Sequence, residues 1–336
     1  MNQTSFEFDP PEDRKTQPSA TAAALQLTPE EIARCLDAHP DYRVLRRLVP
    51  VLDHGASPSG HDVNSTAKRV LILDTETTGL SHAGNKIIEL AMLLVQVDTA
   101  TGRPFGAVET FEGFEDPGMP IPDVAKQVTG ITDEMVRGQH LDNASVEALL
   151  ARADLVIAHN AGFDRPFVEG RFPGFAHKPW ACSFADIDWK AQGAESAKLS
   201  ALAQDRGWFY DAHRALVDCH ALLQVLSSSE ADGATTGLGR LIAASMAPSY
   251  KLRATGAPFE SKDKLKGRGY RWDGDARVWF CGVGSEDALN AELAWLKAEV
   301  YGERRAQVDV ELLDALTRYS PRSGAIQSRG LPKPLA

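Results

Sequence analysis

Two closely spaced carboxylates, Asp74 and Glu76, are the first residues in the chain whose types suggest chemistry. They follow the apolar run at 70–73, which predicts a buried strand. Alternate side chains of a strand share one face, so both carboxylates are expected to point the same way. Two acids beside an apolar strand are costly without a cation, and their oxygen atoms suit Mg²⁺ or Mn²⁺. Taken alone, the pair also fits a solvated turn.

A second polar cluster follows another apolar run, at 154–158. His159 and Asn160 come directly after this run, and Asp164 lies four residues beyond Asn160. Functional sites of α/β sheets lie at the carboxyl ends of strands, where this cluster falls. A purely structural role is also open, in which Asn160 caps the next helix and Asp164 is a first-turn acid stabilised by the helix dipole.

The third cluster is His213 with Asp218, at the start of a helix predicted by the apolar stripe at 215–226. Five residues correspond to about 140° of helical rotation, so the two side chains cannot share one helical face. We therefore expect His213 on the loop before the helix and Asp218 in its first turns. A surface cap is the alternative role for this pair.

The elements that must position these clusters follow from the apolar pattern. Three strands followed by alternating helices and strands predict an α/β fold, with a mixed sheet flanked by helices. Strands are expected at 70–74, 86–97, 107–114, 154–158 and 180–184, and helices at 124–128, 133–136, 144–151, 159–167, 198–206 and 212–226.

The composition divides the chain further. Residues 1–27 are rich in Pro, Ser, Thr, Gln and Ala and are predicted to be disordered. Thr28 and Pro29 are typical of a helix start. The expected organisation is a short helical extension and linker at 28–65, the α/β domain at 66–228, a linker and helix at 229–248, a small α+β module at 249–300, and a helical then flexible tail at 301–336.

The small module is basic and rich in aromatic residues, with eight basic and four acidic residues between 249 and 281. Residues 259–266 predict a short helix with Phe259 and Leu265 on its inner side. Trp272 and Trp279 flank an Asp-Gly hairpin signal, and they are expected to pair across the hairpin as a small core. The expected contacts to nucleic-acid phosphates are Lys262, Lys264, Lys266, Arg268 and Arg271.

Together the three acidic clusters resemble the motifs of the DnaQ-like 3′–5′ exonuclease superfamily, whose members include the proofreading epsilon subunit of bacterial DNA polymerase III and ribonuclease T. The matching stretches are DTETTGL at 74–80, HNAGFD at 159–164 and HRALVD at 213–218. A tyrosine subclass has Tyr four residues before the last acid, where this chain has Arg214, so the histidine subclass is favoured. The module at 249–300 resembles a small helix–hairpin domain with a GxRWD and VW core that is appended to nucleic-acid enzymes.

The resemblance implies a ribonuclease H-like sheet and a role for each residue of the clusters. It implies that Asp74, Glu76, Asp164 and Asp218 bind two Mg²⁺ or Mn²⁺ ions and that His213 is the general base of phosphodiester hydrolysis. Residues implied to contact the substrate are Thr77, Thr78, Gly79, Leu80, His159, Asn160 and Phe163. Phe163 is also a candidate core residue, as aromatic side chains before a helix usually are.

The resemblance implies a 3′–5′ exonuclease acting on single-stranded or frayed 3′ ends of DNA in repair or proofreading, with replication or repair proteins as partners. An exoribonuclease that trims RNA and a non-catalytic adaptor that binds nucleic-acid ends are the alternatives. The net charge is −10, but residues 231–336 carry 16 basic and 13 acidic groups, which permits a polyanionic partner.

The expected location is the cytoplasm, without a membrane partner. No apolar run approaches the roughly 20 residues of a membrane span, and no secretory signal is visible at the start of the sequence. The four dispersed cysteines are typical of reduced thiols in a cytosolic protein.

Overall fold

The computed structural model describes residues 27–57, 67–228 and 235–332. They fall into two compact units, Met1–Val44 and Leu45–Ala336. In the first unit, helix α1 spans Pro29–Asp37 and begins as the sequence predicts. The Thr28 hydroxyl accepts a hydrogen bond from the Glu31 N–H at 3.3 Å, and the Glu31 carboxylate accepts one from the Thr28 N–H at 2.7 Å. The predicted disorder of 1–27 concerns residues that, apart from Leu27, lie outside the described part.

The second unit contains two five-stranded sheets with their helices. The elements of its first part are β1 (Arg46–Arg47), β2 (Ala67–Thr77), β3 (Ile87–Asp98), β4 (Pro104–Phe114), α2 (Asp123–Thr129), α3 (Asp133–Val136), α4 (Asn143–Arg152), β5 (Leu155–Ala158), α5 (Ala161–Arg171), β6 (Trp180–Cys182), α6 (Leu199–Asp205), β7 (Trp208–Phe209), α7 (Ala215–Ser227) and α8 (Gly237–Met246).

The first sheet has the strand order β4-β3-β2-β5-β6. The strands β4, β3 and β2 are antiparallel neighbours, whereas β5 and β6 run parallel to β2. The predicted mixed α/β sheet is therefore confirmed. Part of the segment predicted as an extension and linker also belongs to this unit, because β1 pairs with β7 and Leu48 is buried in the core.

The strand β2 divides its apolar side chains between two cores. Val70 and Ile72 pack with α6, α7 and α8, whereas Leu71 and Leu73 pack on the opposite face with α4 and α5. This alternation fixes which way the later residues of β2 point. Asp74, two residues after Ile72, is therefore directed to the face covered by α7.

The second sheet lies in the C-terminal part and has the order β12-β11-β8-β10-β9, with every neighbouring pair antiparallel. Tyr250 and Leu252 contribute to a core shared with Leu265, Leu289 and Leu293 of two helices. The elements are β8 (Ser249–Ala254), a 3₁₀ turn (Phe259–Ser261), α9 (Lys262–Gly267), β9 (Arg271–Asp273), β10 (Val278–Val283), α10 (Glu286–Trp295), a π turn (Leu296–Tyr301), β11 (Gln307–Leu313) and β12 (Ala325–Gly330).

Two predictions for the C-terminal part are wrong. The tail at 301–336, expected to be helical and then flexible, contains β11 and β12. Val308 and Val310 are buried at alternate positions of β11, a strand pattern that its leucines obscure in the sequence. Phe259, expected on the inner side of a helix, is 77% exposed and begins a 3₁₀ turn that precedes α9. Leu265 is buried, as expected.

The segment between β11 and β12 packs against α5. The guanidinium of Arg165 on α5 is fully buried and donates to the carbonyl oxygens of Leu316 and Arg318. The Trp180 N–H at the edge of the first sheet donates to the Ala315 carbonyl at 2.7 Å. The two sheets are thus joined by buried polar contacts, and among the described residues no helix has the length and apolarity needed to cross a membrane.

Candidate active site

Three carboxylates converge where β2 meets the start of α7. The strand β2 continues past the apolar run to Thr77, so Asp74 and Glu76 stand on the strand itself. Asp218 lies in the first turn of α7, over the same face of the sheet. One carboxylate oxygen from each of the three residues lies within 4.8 Å of the others.

Asp164 lies beside this group rather than within it. Its carboxylate accepts hydrogen bonds from the Thr75 N–H at 3.1 Å and the Thr75 hydroxyl at 2.7 Å. Thr75 directly follows Asp74, so the fourth acid is fixed to the strand next to the first one. The charge of Asp164 is close enough to raise the pKa of Asp74.

The four acids repel one another in a poorly solvated position. Burial and the charges of Asp164 and Asp218 raise the pKa of Asp74 well above its ordinary value. Burial and the charges of Asp218 and Glu89 raise the pKa of Glu76 to about 8. Burial also raises the pKa of Asp164, to about 7, and that of Asp218. Such a set of oxygen donors fits a hard divalent cation, which removes this repulsion.

Both oxygens of Asp218 are occupied by donors from the preceding loop. The backbone N–H groups of His213 and Arg214 donate to Oδ2 at 2.7 and 3.2 Å. The Tyr210 hydroxyl donates to Oδ1 at 3.1 Å. His213 therefore lies on the loop before α7, with an exposed side chain and a left-handed backbone (φ 69°) that these hydrogen bonds hold.

Sequence reasoning missed Glu89, the buried acid that holds this loop on the sheet. Glu89 stands opposite Glu76 on β3 and is fully buried. Its carboxylate accepts from the Arg214 guanidinium at 2.9 Å and from the Ala215 N–H at 3.0 Å. A glutamate inside the otherwise apolar run of β3 is the signal in the sequence, because a buried charge requires a partner.

Sequence reasoning also missed Tyr210, which lies eight residues before Asp218. No spacing rule connects a strand-end tyrosine with an acid one helical turn into the next element. The contact exists because the loop at 211–214 folds back over the start of α7.

The segment predicted to contact the terminal nucleotide forms the turn after β2. Thr77 and Thr78 are buried. The Thr77 hydroxyl donates to the Gly79 carbonyl at 2.8 Å, and the Thr78 hydroxyl accepts from the Lys86 N–H at 3.0 Å. Leu80 is 88% exposed, so an apolar side chain projects from this turn.

The polar pair His159 and Asn160 lies directly after β5, before α5. His159 is half-buried, its Nδ1 lies 2.8 Å from the Ser183 hydroxyl, and burial lowers its pKa to about 4. Asn160 occupies the position before α5 with φ 69° but makes no capping bond through its side chain. Phe163 packs on the core against Phe167, with ring centroids 5.1 Å apart, which agrees with the structural alternative for this residue.

Two of the five cations expected to contact phosphates are engaged in ion pairs. Lys264 lies 3.0 Å from a carboxylate oxygen of Glu299, and Arg268 lies 3.0 Å from one of Glu292. Their positive charge is thus partly neutralised. The sequence did not predict these pairs because both glutamates lie more than 20 residues away.

The other three expected cations are exposed. Lys262 lies with its Nζ 4.8 Å from the centroid of the Phe259 ring. Arg271 lies over the ring of Phe280, on the face of the second sheet opposite to α9. Lys266 lies on the outer side of α9.

Residues 71–226 match the exonuclease family model RNase_T. This part of the chain, which contains the sheet and all four acids, is therefore a DnaQ-like exonuclease domain, and the predicted resemblance is confirmed for it. The match does not include the C-terminal module.

Relatives include the PolC-type DNA polymerase III of Halalkalibacterium halodurans, 39% identical over 104 residues, and that of Listeria welshimeri, 38% identical over 103 residues. The alignments cover 30% and 29% of this chain but only 7% and 6% of those much longer relatives. A solved structure of exonuclease X in complex with 5′ overhanging duplex DNA is 23% identical, with a TM-score of 0.36, over 51% of this chain and 99% of that chain.

Proposed function

We propose that the protein is a metal-dependent 3′–5′ exonuclease that hydrolyses phosphodiester bonds at the 3′ ends of DNA. The observation that carries this proposal is the convergence of Asp74, Glu76 and Asp218, with Asp164 fixed beside them, in a domain of the exonuclease family. The PolC-type relatives are named as DNA polymerases, which favours DNA over RNA as the substrate.

The four acids would hold two Mg²⁺ or Mn²⁺ ions. When bound, such ions lower the pKa of a water molecule and stabilise charge on the attacking and leaving oxygens of the phosphodiester. The carboxylates are also bonded to the protein: the two oxygens of Asp218 accept from Tyr210 and from the loop at 213–214, and Oδ1 of Asp164 accepts from Thr75. These contacts orient the ligands before substrate arrives.

His213 is the general base of the proposed reaction. Support for this role comes from its place on an exposed loop whose backbone is bonded to Asp218, one of the four acids. Neutral imidazole takes the proton of the attacking water. The new bond forms between the water oxygen and phosphorus, the bond to the 3′-oxygen breaks, and the products are a nucleoside 5′-monophosphate and a strand shorter by one nucleotide.

Strand shortening tests this proposal directly. A 5′-labelled single-stranded DNA is incubated with the full-length protein in Mg²⁺, in Mn²⁺ or in EDTA, with a matched RNA in parallel. We expect a ladder of products shortened from the 3′ end, present with either metal and absent in EDTA. Asp74→Asn should abolish the ladder, whereas Glu147→Gln, which changes an exposed acid on α4, should leave it unchanged.

Three results would contradict the proposal. A ladder in EDTA would show that hydrolysis needs no divalent metal. Full activity of Asp74→Asn would show that the four acids are not the active site. Shortening of RNA but not of DNA would make the protein an exoribonuclease with the same chemistry.

A further inference from the structure

The C-terminal module contains an open groove with a volume of about 520 Å³ on the side of the second sheet that carries α9. We call it the aromatic groove. The residues that line it are Ala254, Gly256, Ala257, Pro258, Phe259, Lys262, Trp272, Arg277, Val278 and Trp279.

The aromatic side chains of the groove are more exposed than core residues are. Phe259 is 77% exposed and Trp272 is 52% exposed. Trp279 stands opposite Trp272 in the hairpin, with ring centroids 5.5 Å apart and an angle of 61° between the rings, and it packs against the core of the module. Trp279 thus forms the floor, while Phe259 and Trp272 present ring surface to solvent. Exposed aromatic surface gathered in one concave place is typical of a binding site.

The charged residues that line the groove are both positive. Lys262 lies with its Nζ 4.8 Å from the centroid of the Phe259 ring, and Arg277 also lines the groove. None of the described residues that line it is acidic. Lys264 and Arg268 on the same helix are instead paired with glutamates that do not line the groove.

Exposed rings combined with unneutralised cations match one kind of ligand well. Bases of a single strand stack on aromatic side chains whatever their sequence, because every base has a π face. The phosphates between them attract lysine and arginine. A protein partner would match the rings, but it would leave the absence of acids at the groove unexplained.

We propose that the aromatic groove binds a single-stranded stretch of nucleic acid, with bases stacked on Phe259 and Trp272 and phosphates at Lys262 and Arg277. The inference rests on the proposed function, since the strand held here is the one whose 3′ end is hydrolysed. It assigns a binding role to Phe259, which the sequence predicted on the inner side of a helix, and to Trp272, which it predicted in a small core. It also makes Lys262 more important than its neighbours on α9.

Binding is measured on the full-length protein in EDTA, by fluorescence anisotropy with a labelled oligothymidylate and with an abasic oligonucleotide of the same length. EDTA prevents hydrolysis, so affinity is separated from chemistry. Phe259→Ala and Trp272→Ala should each weaken binding of oligothymidylate by about 10-fold or more, the range expected for one lost base stack. They should hardly change binding of the abasic strand, which has phosphates but no bases.

Three further comparisons sharpen the result. Ile326→Ala truncates a side chain that is also 52% exposed, on β12 of the same sheet, and should leave the affinity unchanged. Lys262→Ala should weaken binding of both oligonucleotides more than Lys266→Ala does. Phe259→Leu keeps an apolar side chain without a π face, so it should also lose affinity, and its thermal unfolding should match that of the unchanged protein.

Two outcomes would overturn the inference. Unchanged affinity of Phe259→Ala and Trp272→Ala would assign the groove to another ligand, such as a protein. If these variants lost as much affinity for the abasic strand as for oligothymidylate, the rings would not act by stacking on bases. The proposed function fails separately: a protein that binds oligothymidylate through the groove but never shortens it in Mg²⁺ would keep the groove and lose the nuclease.

Discussion

Neutralising Glu76 should stabilise the metal-free protein. Burial and the nearby charges of Asp218 and Glu89 raise the pKa of Glu76 from 4.5 to about 8. The folded protein therefore binds this proton more tightly than the unfolded chain does. The contribution of Glu76 to stability is full below pH 4.5 and is lost as the pH rises from 4.5 towards 8. Glu76→Gln removes the charge that causes the loss.

The size of the effect follows from the same shift. Each pH unit above 4.5 contributes about 1.4 kcal/mol to the penalty, so at pH 7 the upper limit is about 3 kcal/mol. The other acids of the site share protons with Glu76, and their partial neutralisation lowers this figure. We expect Glu76→Gln to raise the free energy of unfolding by about 1–3 kcal/mol at pH 7 in EDTA.

Urea denaturation at several pH values, in EDTA and in Mg²⁺, measures the difference. The stabilisation by Glu76→Gln should be present at pH 7–8, should disappear near pH 4.5, and should shrink when Mg²⁺ is added, since the ion stabilises the unchanged protein more. Glu147→Gln changes an exposed acid on α4 and serves as the control.

A variant that is equally stabilised at pH 5 and pH 8 would refute the reasoning, because the effect would not come from ionisation. So would a variant that gains as much from Mg²⁺ as the unchanged protein, because Glu76 would then not be a ligand.

Three further predictions concern the loop before α7. His213→Ala should lower the rate of hydrolysis by about 10²–10⁴-fold while Mn²⁺ affinity, measured by calorimetry, stays the same, and unchanged activity would remove the general base. Arg214→Ala leaves the fully buried Glu89 without its cation, so unfolding in urea should show a loss of about 3 kcal/mol, and Arg214→Lys should restore part of it. Tyr210→Phe removes a hydrogen bond that lowers the pKa of Asp218, so Mn²⁺ affinity at neutral pH should fall several-fold, and an unchanged affinity would make the contact irrelevant to the site.

The sequence allowed the first sheet to be predicted because its signals are local. Apolar runs and their alternation specify β2 and β3, and helical rotation alone places His213 before α7. What could not be predicted depends on partners distant in the chain. Glu89 pairs with Arg214, which lies 125 residues away in the chain. Contacts over such a separation leave no periodic pattern in the sequence.

The second sheet also contains features that the local sequence pattern could not predict. The strand β11 ends in leucines that also fit a helix, and only pairing with β8, some 60 residues earlier, decides for a strand. The exposure of Phe259 depends on a 3₁₀ turn whose direction the apolar pattern does not specify. Tertiary pairing thus decided the conformation of β11 against local propensity.

The buried Arg165 has a consequence for the order of events during synthesis. Glu169 pairs with it locally, but its backbone acceptors at 315–318 are about 150 residues further along the chain. At about 5–20 residues per second, a ribosome needs roughly 8–30 s to make that stretch. Until then the guanidinium on α5, the helix that carries Asp164, lacks these acceptors, and we expect the helix to reach its final place only afterwards. We therefore expect the acidic site to be complete only after residues 315–318 have been made.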